Sequence, residues 1–226
     1  GYYTPVGDPH RDNWSLQTKA HSTILVDGTG QPYGDTRGYG QITRFEETSD
    51  WVAMTGSAPA AYPDAALTRF DRHIVWLKGG DVQTYVIVDE IAGAGPKPHR
   101  FDWLLHSAQR MAIDERARRV DVPGKQGEAR VTFLEPAALA LRQDDDFDGT
   151  PAVYWRIGKN YPLPNQWHLK ATPPPTAQTR FVTVVQVSKP GVAKPTLRAI
   201  DGGVETAGWQ VQLQPALHRV TISKTP

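Results

Sequence analysis

A cation, an aromatic face and an imidazole lie close together in His10-Arg11-Asp12-Asn13-Trp14. Arg11 could meet a carboxylate, Trp14 could stack on a sugar ring, and His10 could donate or accept a hydrogen bond. The same residues also suit a solvated loop in which Trp14 anchors to a core, and the sequence leaves both readings open. His21 follows in Ala20-His21-Ser22-Thr23-Ile24-Leu25-Val26, at the entrance to a β-branched run. A neutral imidazole there could ligate a divalent cation from a rigid strand, or simply hydrogen-bond where the strand starts. His106 closes the alternating run Arg100–His106, in which Phe101, Trp103 and Leu105 share one face. His106 falls on the other face with Leu104 and Asp102, where it could reach a cleft, pack, or pair with Asp102. His168 has the same options in Gln166-Trp167-His168-Leu169, whereas His73, His99 and His218 show no partner in the sequence.

Other constellations read as structure. The acidic run Asp144, Asp145, Asp146 and Asp148 lacks the spaced oxygen ligands and terminal Glu of an EF-hand, and reads as a solvated loop. Arg116, Arg118 and Arg119 border a turn and a strand and read as surface charge. Gly28-Thr29-Gly30 and Gly38-Tyr39-Gly40 have no helix after them to bind a phosphate, so they are turn glycines. The absence of cysteine removes disulfides and thiolate ligands, leaving His and carboxylate as candidate metal ligands.

These side chains must be positioned by strands. Period-two alternation or β-branched runs occur at Ser22–Val26, Ile42–Phe45, Trp51–Thr55, Arg72–Leu77, Thr84–Ile91, Arg100–His106, Ala129–Leu134, Phe181–Val187 and His218–Ile222. Turn residues separate them, as at Asp27-Gly28, Gly79-Gly80-Asp81 and Asp201-Gly202-Gly203, which predicts an antiparallel meander. So many strands must hide their edges and cover their apolar faces, so the expected fold is all-β, a large antiparallel β-sandwich. Two parts are expected: a loop over residues 1–20, rich in Gly, Pro, His and aromatic residues without alternation, and a sandwich over 21–226. With 25 Lys and Arg against 24 Asp and Glu, no overall field is available for a nucleic acid or a membrane surface. No apolar run approaches the roughly 20 residues of a membrane span.

The ordered set Gly1-Tyr2-Tyr3, His10 to Trp14, Ala20 to Gly28, Tyr62-Pro63, Arg72 to Leu77, Tyr85 to Asp89 and Arg100 to His106 resembles the heparinase II/III-like polysaccharide lyases. It is also similar to the oligoalginate lyases of the same architecture. The likeness is strongest from Gly1 to Ser107, and weaker through Asn165 to Leu169 and Phe181 to Val185. It implies a sandwich packed against an N-terminal α/α-toroid, with both acting on uronate glycans by β-elimination. In that family a His-x-His pair and an Asp lie upstream of the matching region, and zinc is completed by the His of an Ala-His-Asn-Thr-like strand. That His corresponds to His21, with Ser22 standing where many relatives have Asn.

The resemblance therefore implies that His21 ligates zinc or another divalent metal, structural in role and shared with residues upstream of this chain. His10, Arg11, Trp14 and His106 would form a wall of the substrate cleft. No general acid or base is assigned among residues 1–226, so the chain alone is expected to be incomplete and inactive. Expected partners are the toroidal segment and an acidic polysaccharide or oligosaccharide, with no nucleic acid and no membrane. The substrate class implies a periplasmic or secreted bacterial-type protein. The alternatives are a non-catalytic carbohydrate-binding module and a purely structural β-sandwich.

Overall fold

Alternating runs become strands because successive side chains point to opposite faces, and a half-buried sheet needs only every second residue to be apolar. In a computed structural model of the protein, the described residues are 6–34, 39–147, 153–156, 159–162 and 166–225, with backbone alone for 153–156 and 159–162. The motifs at Gly1-Tyr2-Tyr3, Gly38, Asp148-Gly149 and Asn165 lie outside them.

All nine predicted runs are strands, at bounds shifted by a few residues, and further strands lie between them. The first nine are β1 (Ile24–Val26), β2 (Gln41–Glu47), β3 (Trp51–Ser57), β4 (Leu67–Leu77), β5 (Val82–Gly93), β6 (Phe101–Ser107), β7 (Ala112–Asp114), β8 (Arg119–Val122) and β9 (Glu128–Glu135). The rest are β10 (Ala140–Asp144), β11 (Val153–Arg156), β12 (Lys159–Pro162), β13 (Trp167–Thr172), β14 (Gln178–Ser188), β15 (Arg198–Ile200), β16 (Gly203–Thr206), β17 (Trp209–Gln214) and β18 (Arg219–Lys224). Among the described residues, helix is confined to short turns such as Arg11–Ser15 and Thr18–Ala20.

The strands pair antiparallel throughout, but the meander expectation holds only in part. A central eight-stranded sheet has the order β2-β3-β4-β5-β14-β9-β8-β7, so the chain leaves after β5 and returns much later as β14. The excursion builds a four-stranded sheet, β1-β6-β13-β10, and β15-β16-β17-β18 forms another. A separate hairpin pairs β11 with β12.

The central sheet is covered on both faces. On one, Phe70, Ile91, Val120, Val131, Phe133 and Phe181 pack with Ile24, Phe101, Trp103, Leu141 and Leu169 of the first four-stranded sheet. On the other, Val75, Val86, Val88, Val182 and Val184 pack with Val204, Val211, Leu213 and Val220 of the last sheet. The sandwich is thus three layers deep in its middle. Two-sided burial explains why β5 and β14 are rich in β-branched residues at adjacent as well as alternate positions.

One polar cluster crosses the first interface. Asp89 of β5 is fully buried and accepts two bonds from Arg72 of β4, at 2.6 and 3.1 Å, and one from the indole N–H of Trp103 on β6, at 3.1 Å. Arg72 also donates to the carbonyl of Ser22 at 3.3 Å, and the Tyr62 hydroxyl donates to that of Ile24 at 2.8 Å. The central sheet therefore grips the segment that leads out of His21. Removing one partner of a buried ion pair strands the other charge. Asp89→Ala is expected to lower stability by about 3–5 kcal/mol, measured as a fall in the urea midpoint at unchanged slope.

Candidate functional site

The segment before β1 packs on the outer end of the first four-stranded sheet. Asp8 begins it by accepting the backbone N–H of His10 at 2.8 Å, and a short helical turn over Arg11–Ser15 follows. That turn drops the Trp14 indole, which is buried, against the rings of Phe147 and His168, with centroids 5.3 and 4.6 Å away. A second turn, Thr18–Ala20, delivers the chain to His21 in an extended backbone conformation.

His21 is exposed at the rim of two depressions of about 320 and 420 Å³. Trp14, Ser15, Ala20, Ser22, His106 and Gln166 line the smaller, and Thr18, Thr23, Gln31 and Tyr33 contribute to the larger. The Nε2 of His21 lies 3.1 Å from the carbonyl oxygen of Ser15. A carbonyl only accepts, so Nε2 carries the proton and Nδ1 is the lone-pair nitrogen of the neutral ring. A backbone carbonyl that fixes one imidazole nitrogen and frees the other commonly orients a histidine ligand, and it is equally a hydrogen bond at a strand entrance. Among the described residues no group of three or more His, Cys, Asp or Glu is arranged to hold a metal ion. A cation at His21 would take its other ligands from outside these residues.

His106 lines the same depression, and of the options open to it the pairing with Asp102 is not made. Asp102 instead accepts from Arg100 at 3.0 Å and from the Thr172 hydroxyl at 2.5 Å. The Nε2 of His106 donates to the carbonyl of Lys19 at 3.0 Å, which ties β6 to the turn before His21. Its ring lies 5.0 Å from that of His168, its register partner across the β6–β13 pair. Burial, reinforced by repulsion from His168, pushes the His106 imidazole down to about 4.

His10 departs from its expected place on the cleft wall. Its side chain is fully buried, with the ring edge-on to Phe147 at 4.8 Å, so it faces the core beneath the loop. Trp14 anchors the loop, and part of it lines the smaller depression. The Arg11 guanidinium is held by Asp12 at 3.0 Å and lies close to Tyr33, beside the larger depression rather than the smaller. Sequence reasoning missed Phe147, the one large apolar side chain in the acidic run, which is buried under His10, Trp14 and His168. An aromatic residue among four aspartates was the available signal.

The profile of the family described as heparinase II/III-like, C-terminal, matches residues 1–201, and the chain belongs to that family. Among solved structures it is similar to a heparinase III gene product, with a TM-score of 0.68 and 14% identity, over 100% of this chain and 34% of that one. It is also similar to a mutant of the heparan sulfate lyase HepC from Pedobacter heparinus, with a TM-score of 0.60 and 15% identity, over 93% of this chain and 31% of that one. The chain thus spans about a third of the length of the structures it matches. No curated protein sequence matches it.

The position of His106 makes stability depend on pH. Its folded value lies below the ordinary 6.5, so between that value and about 4 the unfolded chain binds the proton that the folded chain refuses. Stability is therefore expected to fall as pH drops from 6.5 to 4, by up to about 3 kcal/mol from this group. His106→Gln, which can still donate to Lys19, should flatten that part of the profile when urea midpoints are compared across the range.

Proposed function

We propose that the chain is the sandwich part of a polysaccharide lyase that cleaves uronate-containing glycans by β-elimination, supplying a metal ligand and one wall of the cleft. The observation that carries this reading is His21: an exposed imidazole at the rim of a depression, with Nε2 committed to Ser15 and Nδ1 left with its lone pair, in a chain of the heparinase II/III-like family. The donor type fits zinc or a similar divalent ion, with one neutral imidazole from this chain and the remaining ligands from the N-terminal toroidal part of the enzyme. The ion would act structurally there, fixing the two parts around the cleft.

β-Elimination removes the proton at C5 of a uronate and expels the oxygen at C4. It needs a base, an acid for the leaving oxygen and neutralisation of the carboxylate. This chain contributes orientation to that reaction. Trp14 offers the edge of its indole as a partial floor for a sugar ring, His106 remains neutral and holds the Lys19–His21 segment, and Ser22 and Gln166 add polar groups to the smaller depression. The proton-transfer groups belong to the other part of the enzyme, so turnover is a property of the assembly. An enzyme acting on such polymers works where they are found, in the periplasm or outside the cell.

The test is His21→Ala in the full-length enzyme, followed by metal analysis and by the absorbance of the unsaturated uronate product. Bound metal should fall to less than half of the native content and turnover by at least tenfold. Because His21 is exposed, native enzyme and variant should differ by no more than about 0.5 kcal/mol in folding stability once a chelator has removed the metal from both. Unchanged metal content and turnover would leave the sandwich a scaffold or a separate carbohydrate-binding module.

A further inference from the structure

The two depressions that meet at His21 are built differently, and the larger has a wall that the lyase reading above does not use. It runs from Thr18 and Thr23 past Gln31 and Pro32 to Tyr33. Tyr33 is 62% exposed, so its ring is accessible where it lines the depression. The ring is nonetheless held. Its hydroxyl lies close to the Arg11 guanidinium, which is tethered in turn by Asp12 at 3.0 Å.

The loop beneath Tyr33 is fastened just as firmly. Asp27 and Gly28 reverse the chain at φ values of 53° and 79°, and Val26 and Thr29 then bridge. The backbone N–H of Gln31 donates to the Thr18 hydroxyl at 2.7 Å, and that hydroxyl lies 3.3 Å from the Gln31 carbonyl. The approach is so close that a Cβ on Gly30 would lie 2.1 Å from the Cβ of Thr18. The turn carrying Tyr33 is therefore clamped to the turn that delivers His21, and the two rings keep a fixed relation across the depression.

We propose that Tyr33 is the platform of a second sugar subsite, placed across His21 from Trp14, which takes a pyranose ring of the acidic glycan on its exposed face. The chemistry matches the ligand class. A sugar ring presents an apolar face of C–H groups to an aromatic plane, while its hydroxyls and carboxylate need donors at the edge. Here the Arg11 guanidinium beside the ring supplies the donor, while Gln31, Thr18 and Thr23 line the depression around it. A glycan of several residues would then lie across both depressions, with His21 beneath its middle. The inference rests on the lyase reading and adds to it a binding residue and a direction for the chain.

The test uses the full-length enzyme with tetrasaccharides of heparan sulfate, hyaluronan and alginate. The Michaelis constant is measured on whichever of them the native enzyme cleaves. Tyr33→Ala should raise that constant about tenfold, and Tyr33→Trp, which restores a stacking surface, should return it to within about threefold of native. The exposure of Tyr33 means that neither substitution touches the core. Equal constants for native enzyme and Tyr33→Ala, with His21→Ala still impaired, would overturn the subsite and leave the lyase reading standing. An equal rise in Tyr33→Ala and Tyr33→Trp would also overturn it, since stacking would not be the cause. Failure of the native enzyme to cleave any of the three would remove the lyase reading and the subsite together.

Discussion

A carboxylate with no access to water must be neutralised where it stands, and Asp89 imposes that condition on the middle of this protein. Arg72 meets it with two parallel N–H bonds and Trp103 adds a third donor, so the charge is matched by groups from two different sheets. The consequence reaches the rim. Arg72 has a further N–H on the carbonyl of Ser22, and β1 takes its register from β6, with Ile24 opposite Trp103. The place of His21 thus follows from a buried ion pair several residues away in the interior. Hydrophobic burial brings the sheets together, but it is non-directional, and a charged bond of defined geometry supplies the alignment that burial cannot.

The histidines show the same division between packing and placement. His73 lies buried between the Thr55 hydroxyl at 2.9 Å and Glu90 at 3.4 Å, and His99 bonds Asp27 at 2.8 Å beside Gly93. His218 reaches Arg69 at 2.7 Å across the second interface. These three read as structural, since each is absorbed by a bond that joins separate elements. His21 and His106 differ in that their bonds go to backbone carbonyls of the turns beside the depression, which orient the rings without cancelling a charge.

The last four strands complete the structure in a way that the rim does not reveal. They cover the valines on the second face of the central sheet, and polar bonds lock them there: Arg180 joins Glu135 and Asp201 at 2.6 and 2.7 Å, and the N–H of Gly202 donates to Glu135 at 2.9 Å. Residues 202–224 lie beyond the span matched by the family profile, yet Val204, Val211 and Val220 are as buried as any side chain in the protein. Without them the face bearing Val86, Val88, Val182 and Val184 would be exposed as a continuous apolar surface.

The sequence alone determined the strand character of the chain, because alternation is a local property that a sheet with one buried face requires. It also determined the class of protein, through the order of short motifs around His10, His21 and Arg100 to His106. It did not disclose β7, β8, β10 to β13 or β15 to β17: β7, β10 and β15 are sheet edges and β8, β11, β12 and β16 have four residues each, so pairing rather than pattern makes the strand, whereas β13 and β17 have six residues inside their sheets and β17 does alternate. The sequence singled out His21, His106 and Trp14, which line one depression. That His10 turns inward against Phe147, that Arg11 sits with Tyr33 and that two depressions share one imidazole were decided by tertiary structure. Each depends on residues that are distant in sequence, and no local pattern encodes which turn a sheet will bring against which ring.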